Sequence, residues 1–142
     1  MFISIICPSY NSSAFVSKTV ESILNQTYQK FEVIFSDDGS SDETVNILKK
    51  FKLLFQQKNI SVKIIKNNHK GPGFARNEAL KVASHDWIAF IDSDDLWNKC
   101  KWKEAVKEIK KNGSLNCVLN RKIYLKKNKK KKYFDFDKYY NP

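Results

Sequence analysis

The feature that most constrains the fold is an alternation of strand-like and helix-like segments along most of the chain. The predicted strands are Phe2–Cys7, Phe31–Phe35, Val62–Ile65 and Trp87–Ile91. Apolar residues at helical spacing predict four helices, one after each strand. Their apolar positions run from Val16 to Leu24, from Val45 to Phe55, through Leu80 and Ala83, and from Trp102 to Ile109. Because strands that alternate with helices usually run parallel, the pattern predicts an α/β fold, a mostly parallel sheet flanked by helices.

Two weaker signals add local detail to this pattern. Ser40 followed three residues later by Glu43 has the form of a capping box, which predicts that the second helix begins there. The stretch from Leu115 to Leu125 is predicted to hold one or two further strands.

Polar clusters directly follow three of the predicted strands. Pro8-Ser-Tyr-Asn11 follows the first strand, Asp37-Asp-Gly-Ser40 the second and Asp92-Ser-Asp-Asp95 the fourth. In open parallel sheets, ligands bind outside the carboxyl ends of the strands. The three clusters are therefore expected to converge on one cleft.

The segment Asp92-Ser-Asp-Asp95 places three carboxylates within four residues. Two carboxylates about 6 Å apart repel by roughly 3 kcal/mol at an effective dielectric of about 20. Mg²⁺ or Mn²⁺ would reverse that repulsion, because hard cations prefer carboxylate oxygens. An acidic turn that caps the next helix is the alternative. An EF-hand is excluded, since Trp97 and Lys103 occupy its glycine and bidentate-acid positions.

The pair Asp37 and Asp38 ends the second strand. Turn and cap chemistry explains Gly39 and Ser40, but it does not explain two adjacent acids, one of which is suited to accept a hydrogen bond from a nucleobase imide. If Asp38 reads a base, replacing it with alanine should lower nucleotide affinity and leave thermal stability nearly unchanged. A large loss of stability would favour the turn-and-cap interpretation.

Arg76 and Tyr10 are further candidates for ligand contact. Arg76 stands where a dinucleotide fingerprint beginning at Gly71 would need its third glycine, so it is better suited to a diphosphate or base. Pairing with Glu78 or Asp86 on the surface is the alternative. Tyr10 lies beyond a proline, where its ring either stacks on a base or plugs a loop.

The two histidines, His69 and His85, are predicted to be loop residues without a catalytic role.

Length and composition favour one domain in a reducing compartment. The chain has 142 residues and three cysteines without a CxxC pair, which predicts a cytoplasmic location. No apolar run approaches the ~20 residues of a membrane-spanning helix. The net charge is +11, and Arg121–Lys132 alone contains eight basic residues. Lysines dominate that run with few aromatics between them, so nucleic-acid binding is not expected.

Six segments taken together resemble the family 2 glycosyltransferases of the GT-A fold, a Rossmann-like nucleotide-diphospho-sugar transferase fold. They occur in the family's order and spacing over roughly residues 2 to 100. The matching segments are Ile5-Ile-Cys-Pro-Ser-Tyr-Asn11, Ser22-Ile-Leu-Asn-Gln-Thr27, Phe31-Glu-Val-Ile34, Asp37-Asp-Gly-Ser-Ser-Asp42, Gly73-Phe-Ala-Arg-Asn77 and Phe90-Ile-Asp-Ser-Asp-Asp95.

The resemblance implies a nucleotide-diphospho-sugar donor, most simply a UDP-sugar, and Mn²⁺ or Mg²⁺ held by a DxD motif. The residues that it implies for donor binding are Pro8, Tyr10, Asp38, Arg76, Asp92 and Asp94, with Asp94 and Asp95 as metal ligands. It further implies inverting transfer to a hydroxyl of a carbohydrate or lipid-linked acceptor in polysaccharide or glycoconjugate synthesis. A carboxylate would deprotonate that hydroxyl.

Length is the point of departure from the family, because only 47 residues follow Asp95. Residues 1–120 are predicted to form the nucleotide-sugar-binding domain. Residues 121–142 are predicted to be a basic segment that is partly disordered or begins the acceptor half, so the chain is expected to be truncated. No residue is assigned as the catalytic base, and a non-catalytic nucleotide-sugar-binding fragment or interaction module is the alternative function.

Two further expectations concern partners. A phospho-receiver domain, also an acidic α/β fold, should cluster acids after its first strand, where this chain has Pro8-Ser-Tyr10. The six lysines within Lys126–Lys132 are expected to contact the anionic inner face of a membrane, since each lysine near such a surface contributes roughly 1 kcal/mol. A solvated tail is the alternative for that run.

Overall fold

A computed structural model describes residues 1–111 and shows four strands and four helices in that part of the chain. The strands are β1 (Ile3–Ser9), β2 (Phe31–Asp37), β3 (Val62–Lys66) and β4 (Trp87–Phe90). The helices are α1 (Val16–Leu24), α2 (Thr44–Gln57), α3 (Pro72–Lys81) and α4 (Lys101–Lys111). All strand pairs are parallel, in the order β3-β2-β1-β4, which confirms the predicted α/β fold.

The chain divides into two compact units, Met1–Lys103 and Glu104–Pro142. The first unit contains the sheet, α1 to α3 and the start of α4. In the second unit, the structure describes the part of α4 up to Lys111. The predicted boundary after residue 120, the predicted strands between Leu115 and Leu125, and the lysine run lie outside the described residues.

The two central strands form the core of the first unit. Every residue of β1 and β2 is buried, because each strand has a paired neighbour on both sides and helices cover the sheet. Ile6 and Ile34 pack with Ala79 of α3, and the ring of Phe35 lies 6.4 Å from that of Phe55 of α2. In the described part of the sheet β4 is an edge strand, and its last residue, Phe90, is 48% exposed.

The predicted capping box is wrong. Helix α2 begins at Thr44 rather than near Ser40, and its N-terminal flanking residue makes no capping hydrogen bond through its side chain. Ser40 instead donates its backbone N–H to the carboxylate of Asp37 at 2.8 Å. Asp42 accepts the Thr44 N–H at 3.0 Å. A short acidic loop therefore precedes the helix and satisfies its first donor.

The segment Asp92–Asp95 does not lie directly before a helix. The next helix, α4, begins at Lys101, several residues further along the chain. The local bonds before α4 come from Asn98, whose side chain accepts the Cys100 N–H at 2.9 Å and whose carbonyl accepts the Lys101 N–H at 3.0 Å.

A buried carboxylate, Glu32 of β2, joins neighbouring parts of the sheet. It accepts hydrogen bonds from the Ser4 hydroxyl at 2.7 Å and the Ser84 N–H at 2.6 Å, and it forms an ion pair with Lys63 of β3 at 3.0 Å. Burial alone would raise the pKa of Glu32, but these donors outweigh it and hold the pKa below its usual range. Glu32 therefore acts as a structural anion in β2.

Within residues 1–111, no helix has both the length and the apolar character that crossing a bilayer requires.

Candidate functional site

A cavity of about 360 Å³ lies at the carboxyl ends of β1 and β2, beside the segment that follows β4. The carboxyl ends of these parallel strands share one edge of the sheet. All six residues predicted to bind a donor line it: Pro8, Tyr10, Asp38, Arg76, Asp92 and Asp94. The other lining residues are Ser9, His69, Gly71, Pro72 and Ser93. The parallel sheet thus brings together polar segments that are far apart in sequence, and Asp95 is the one predicted site residue that is not in the lining.

An aromatic pair forms one wall of the cavity. The ring of Tyr10 stacks on that of His69, with centroids 4.1 Å apart and an angle of 27° between the planes. Tyr10 is 47% exposed, so its ring does not plug the loop but remains available for contact. Nδ1 of His69 lies 3.2 Å from the carbonyl oxygen of Asp38. Such a wall suits a flat heteroaromatic ring, because stacking tolerates any base.

Asp38 is buried beneath this wall and holds the loop that leads into α3. Its carboxylate accepts the Lys70 N–H at 2.9 Å and the Gly71 N–H at 2.7 Å. The residue is only 3% exposed. Gly39 packs against the same loop with a φ of 82°, a conformation that disfavours any side chain. Asp38 therefore has a structural role in shaping the cavity, and its contact with a base stays a prediction.

Asp37, the other acid of the pair, is bonded both to the neighbouring strand β1 and to the loop that follows β2. It accepts a hydrogen bond from the Ser9 hydroxyl at 3.0 Å and further bonds from the backbone and hydroxyl of Ser40. It is 1% exposed and does not line the cavity. The sequence did not show which of the two adjacent acids lines the cavity. In the structure Asp38 lines it and Asp37 does not.

A charged pair also lines the cavity. Nη2 of Arg76, on α3, lies 2.6 Å from Oδ1 of Asp92, so Arg76 pairs with neither Glu78 nor Asp86. Asp94, two residues further, is exposed at the rim. A guanidinium beside a cavity can bind a diphosphate through two parallel hydrogen bonds.

Carboxylate oxygens at this rim fit a hard cation whose coordination is completed by a ligand. Within the described residues, no three His, Cys, Asp or Glu side chains are grouped closely enough to hold a metal by themselves. Mg²⁺ typically takes one or two protein carboxylates together with waters and phosphate oxygens. Asp94 lines the cavity and could supply one such carboxylate, whereas Asp95 is not in the lining, and the metal itself stays a prediction.

The thiol of Cys7 is buried near Asp92 and Asp94 and is excluded as a nucleophile. Burial raises the pKa of Cys7 far above its usual range, and the nearby charges of Asp92 and Asp94 raise it further. The thiol is therefore neutral at physiological pH, and nucleophilic attack requires the thiolate.

His69 is the lining residue that sequence reasoning most clearly missed. It is a loop residue, as predicted, but it contacts both Tyr10 and Asp38 and lines the cavity. Its φ of 40° is unusual for a residue with a side chain. A lone histidine in a Lys/Asn-rich stretch gives no sequence signal for this position.

Solved structures with the same fold define the class of protein. The chain matches the crystal structure of Staphylococcus aureus TarS 1-349 in complex with UDP-GlcNAc with a TM-score of 0.71 and 34% identity, covering 80% of this chain and 32% of that one. It matches the mannosyltransferase PcManGT of Pyrobaculum calidifontis, solved with GDP-Man and Mn²⁺, with a TM-score of 0.69 and 24% identity over 75% of this chain and 32% of that one. The fold is that of GT-A glycosyltransferases.

Sequence relatives identify the family. The model of "Glycosyl transferase family 2" matches residues 4–141, and the chain belongs to that family. The Escherichia coli enzyme WfgD, a UDP-Glc:alpha-D-GlcNAc-diphosphoundecaprenol beta-1,3-glucosyltransferase, is 41% identical over 111 residues. That match covers 78% of this chain and 42% of WfgD, so the chain spans less than half of this relative's length. The resemblance predicted from the six segments is confirmed.

Proposed function

We propose that this chain carries the donor-binding part of an inverting glycosyltransferase that uses a UDP-sugar together with Mn²⁺ or Mg²⁺. The observation that carries the proposal is the cavity that unites the Tyr10 ring, the Arg76–Asp92 pair and the exposed Asp94 carboxylate. These groups match the base, the diphosphate and the metal of such a donor. The UDP-Glc in the name of WfgD and the UDP-GlcNAc bound to TarS favour uracil as the base.

Each wall of the cavity has a chemical task in this proposal. The base stacks on Tyr10 near Asp38, and Arg76 binds diphosphate oxygens. Asp94 and Asp95 hold the cation, which when bound stabilises negative charge on the leaving diphosphate. The general base that activates the acceptor hydroxyl is not assigned to any residue.

The proposed setting follows from the relatives and from the charge of the chain. The diphosphoundecaprenol acceptor in the name of WfgD favours a carbohydrate on a lipid carrier as acceptor. The proposed location is the cytoplasm at the inner membrane face, with the lysines of Lys126–Lys132 in contact with anionic lipid. No nucleic-acid partner is proposed.

Isothermal calorimetry with UDP tests the donor and metal assignment. We expect UDP to bind more tightly with Mn²⁺ or Mg²⁺ than with EDTA. Asp94→Ala should weaken binding in Mn²⁺ by about tenfold or more, roughly what one charged contact contributes. Asp86→Ala, which removes another exposed acid, is the matched control. Equal affinity with and without EDTA would exclude the metal.

A non-catalytic nucleotide-sugar-binding module is the second candidate. The observation that favours it is that the named cavity residues account for binding a donor, while none of them is assigned as the general base. The two candidates differ in turnover with UDP-glucose and a GlcNAc-diphospho-lipid. Release of UDP that depends on this acceptor would exclude the module, whereas UDP binding without release would support it for this chain.

A further inference from the structure

The outer face of α2 exposes two adjacent leucines beside lysines. Leu53 is 62% exposed and Leu54 is 42% exposed. Lys49 and Lys50 lie one helical turn earlier, each four residues before one of the leucines, and both are exposed. We call these four residues the α2 outer face.

The fold does not require leucines at these positions. Val45, Leu48 and Phe55 form the buried side of the helix and already supply its packing. Positions 53 and 54 point away from that side, so both leucines have much of their apolar surface in water. Single exposed leucines are common, but an adjacent pair flanked by unpaired cations is a more specific arrangement.

The stretch of chain from α2 to α3 carries charges of one sign. From Thr44 to Asn77 the sequence contains seven lysines and one arginine but no aspartate or glutamate. Among residues 1–111, the ion pairs do not include Lys49 or Lys50. Their ammonium groups are therefore available to an external anion.

We propose that the α2 outer face docks onto an anionic lipid surface. Leucine side chains can enter the boundary between headgroups and acyl chains, while neighbouring lysines remain at the level of the lipid phosphates. Each lysine near such a surface contributes roughly 1 kcal/mol, and the apolar area that enters the lipid adds to that electrostatic attraction. The face thus combines the apolar and the cationic signal on one helix.

A lipid surface fits this face better than a nucleic acid does. Nucleic-acid surfaces combine cations with aromatic rings or arginines that stack on bases, and the α2 outer face contains neither. Leucine adds nothing to phosphate binding, whereas it contributes to insertion into lipid. Leu53 and Leu54 do not line the donor cavity, so the α2 outer face is a separate surface.

Vesicle sedimentation tests the proposal. The chain is mixed with vesicles of equal parts phosphatidylcholine and phosphatidylglycerol, and separately with phosphatidylcholine alone. The lysines of Lys126–Lys132 are replaced by glutamine in this background, so that the α2 outer face is probed without the charge of that run. We expect binding to the anionic vesicles, weakened about tenfold by Leu53→Ser with Leu54→Ser and about tenfold or more by Lys49→Gln with Lys50→Gln.

The controls separate this surface from net charge and from the donor site. Lys18→Gln with Lys30→Gln removes two exposed lysines outside α2, and this variant should bind vesicles as before. Calorimetry with UDP and a thermal melt should give unchanged values for both α2 variants, so a failure of donor binding is recognised independently.

Three outcomes would overturn the proposal. One is vesicle binding that the leucine and lysine variants leave unchanged. Another is self-association, measured by sedimentation velocity, that the leucine variant abolishes, since a second copy would then cover the face. The third is tight binding to single-stranded RNA that depends on the two lysines but not on the leucines.

Discussion

Replacing Asp38 by asparagine tests whether this carboxylate builds the cavity. In the structure it accepts the N–H groups of Lys70 and Gly71, at 2.9 and 2.7 Å, while almost wholly buried. Asparagine is nearly the same size but has one acceptor oxygen, so its NH₂ group would face one of those two donors. The substitution therefore keeps the packing and breaks one bond.

The expected cost follows from these contacts. Breaking a buried hydrogen bond so that its donor stays unpaired costs about 1–3 kcal/mol, and more where the lost acceptor is charged. We expect Asp38→Asn to lower the free energy of unfolding by about 2–4 kcal/mol. For a domain of this size, that corresponds to a fall of about 10 °C in the thermal midpoint.

Two measurements on the same variant separate structure from recognition. Circular dichroism melts give the midpoint, and calorimetry with UDP well below that midpoint gives the affinity. Asp86→Asn, which changes an exposed acid in the same way, should leave both values unaltered. We expect UDP affinity to fall as well, because the loop that Asp38 holds lines the cavity. A shift of the midpoint no larger than that of the Asp86 variant would refute the structural role.

Two other side chains give further predictions. The pKa of Glu32 is held below its unfolded value of about 4.3, so its contribution to stability is full above about pH 5 and is lost as pH falls through the folded pKa. Urea unfolding should therefore show Glu32→Gln to be destabilised at pH 7, with a difference from the parent chain that shrinks towards pH 3; a constant difference would contradict this. Tyr10→Ala should weaken UDP binding by about 1–3 kcal/mol, as expected for a lost base–aromatic stack, and Tyr10→Phe should retain it. Equal calorimetric affinities for both Tyr10 variants would show that the ring does not contact the base.

The sequence predicted the layout of the fold because alternation and periodicity are properties of whole segments. All eight predicted elements between Phe2 and Ile109 correspond to observed strands or helices, although their ends differ by a few residues. The helix through Leu80, for example, ends at Lys81 rather than including Ala83. Convergence of the polar clusters followed from parallel strands alone, since their carboxyl ends must share one edge.

Sequence patterns did not predict the hydrogen-bond partners of individual side chains. The capping-box prediction failed because Ser40 is bound by Asp37, a competing acceptor three residues earlier. The partner of Arg76 was also missed, because Asp92 comes close only once α3 and the segment after β4 are placed in space. Contacts of this kind depend on tertiary structure, which no local spacing encodes.

The acids that follow β2 and those that follow β4 have different hydrogen-bond partners and exposure, because the two strands occupy different positions in the sheet. Asp37 and Asp38 follow a central strand, so loops on either side bring hydroxyl and N–H donors within reach and use the carboxylates for structure. Asp92 and Asp94 follow an edge strand of the described sheet, where fewer donors surround them; one pairs with a guanidinium and the other is exposed. Exposed carboxylates can gain a cation at little cost to folding, whereas buried and bonded ones cannot. Substitutions after β2 should therefore act mainly through stability, and substitutions after β4 mainly through ligand binding.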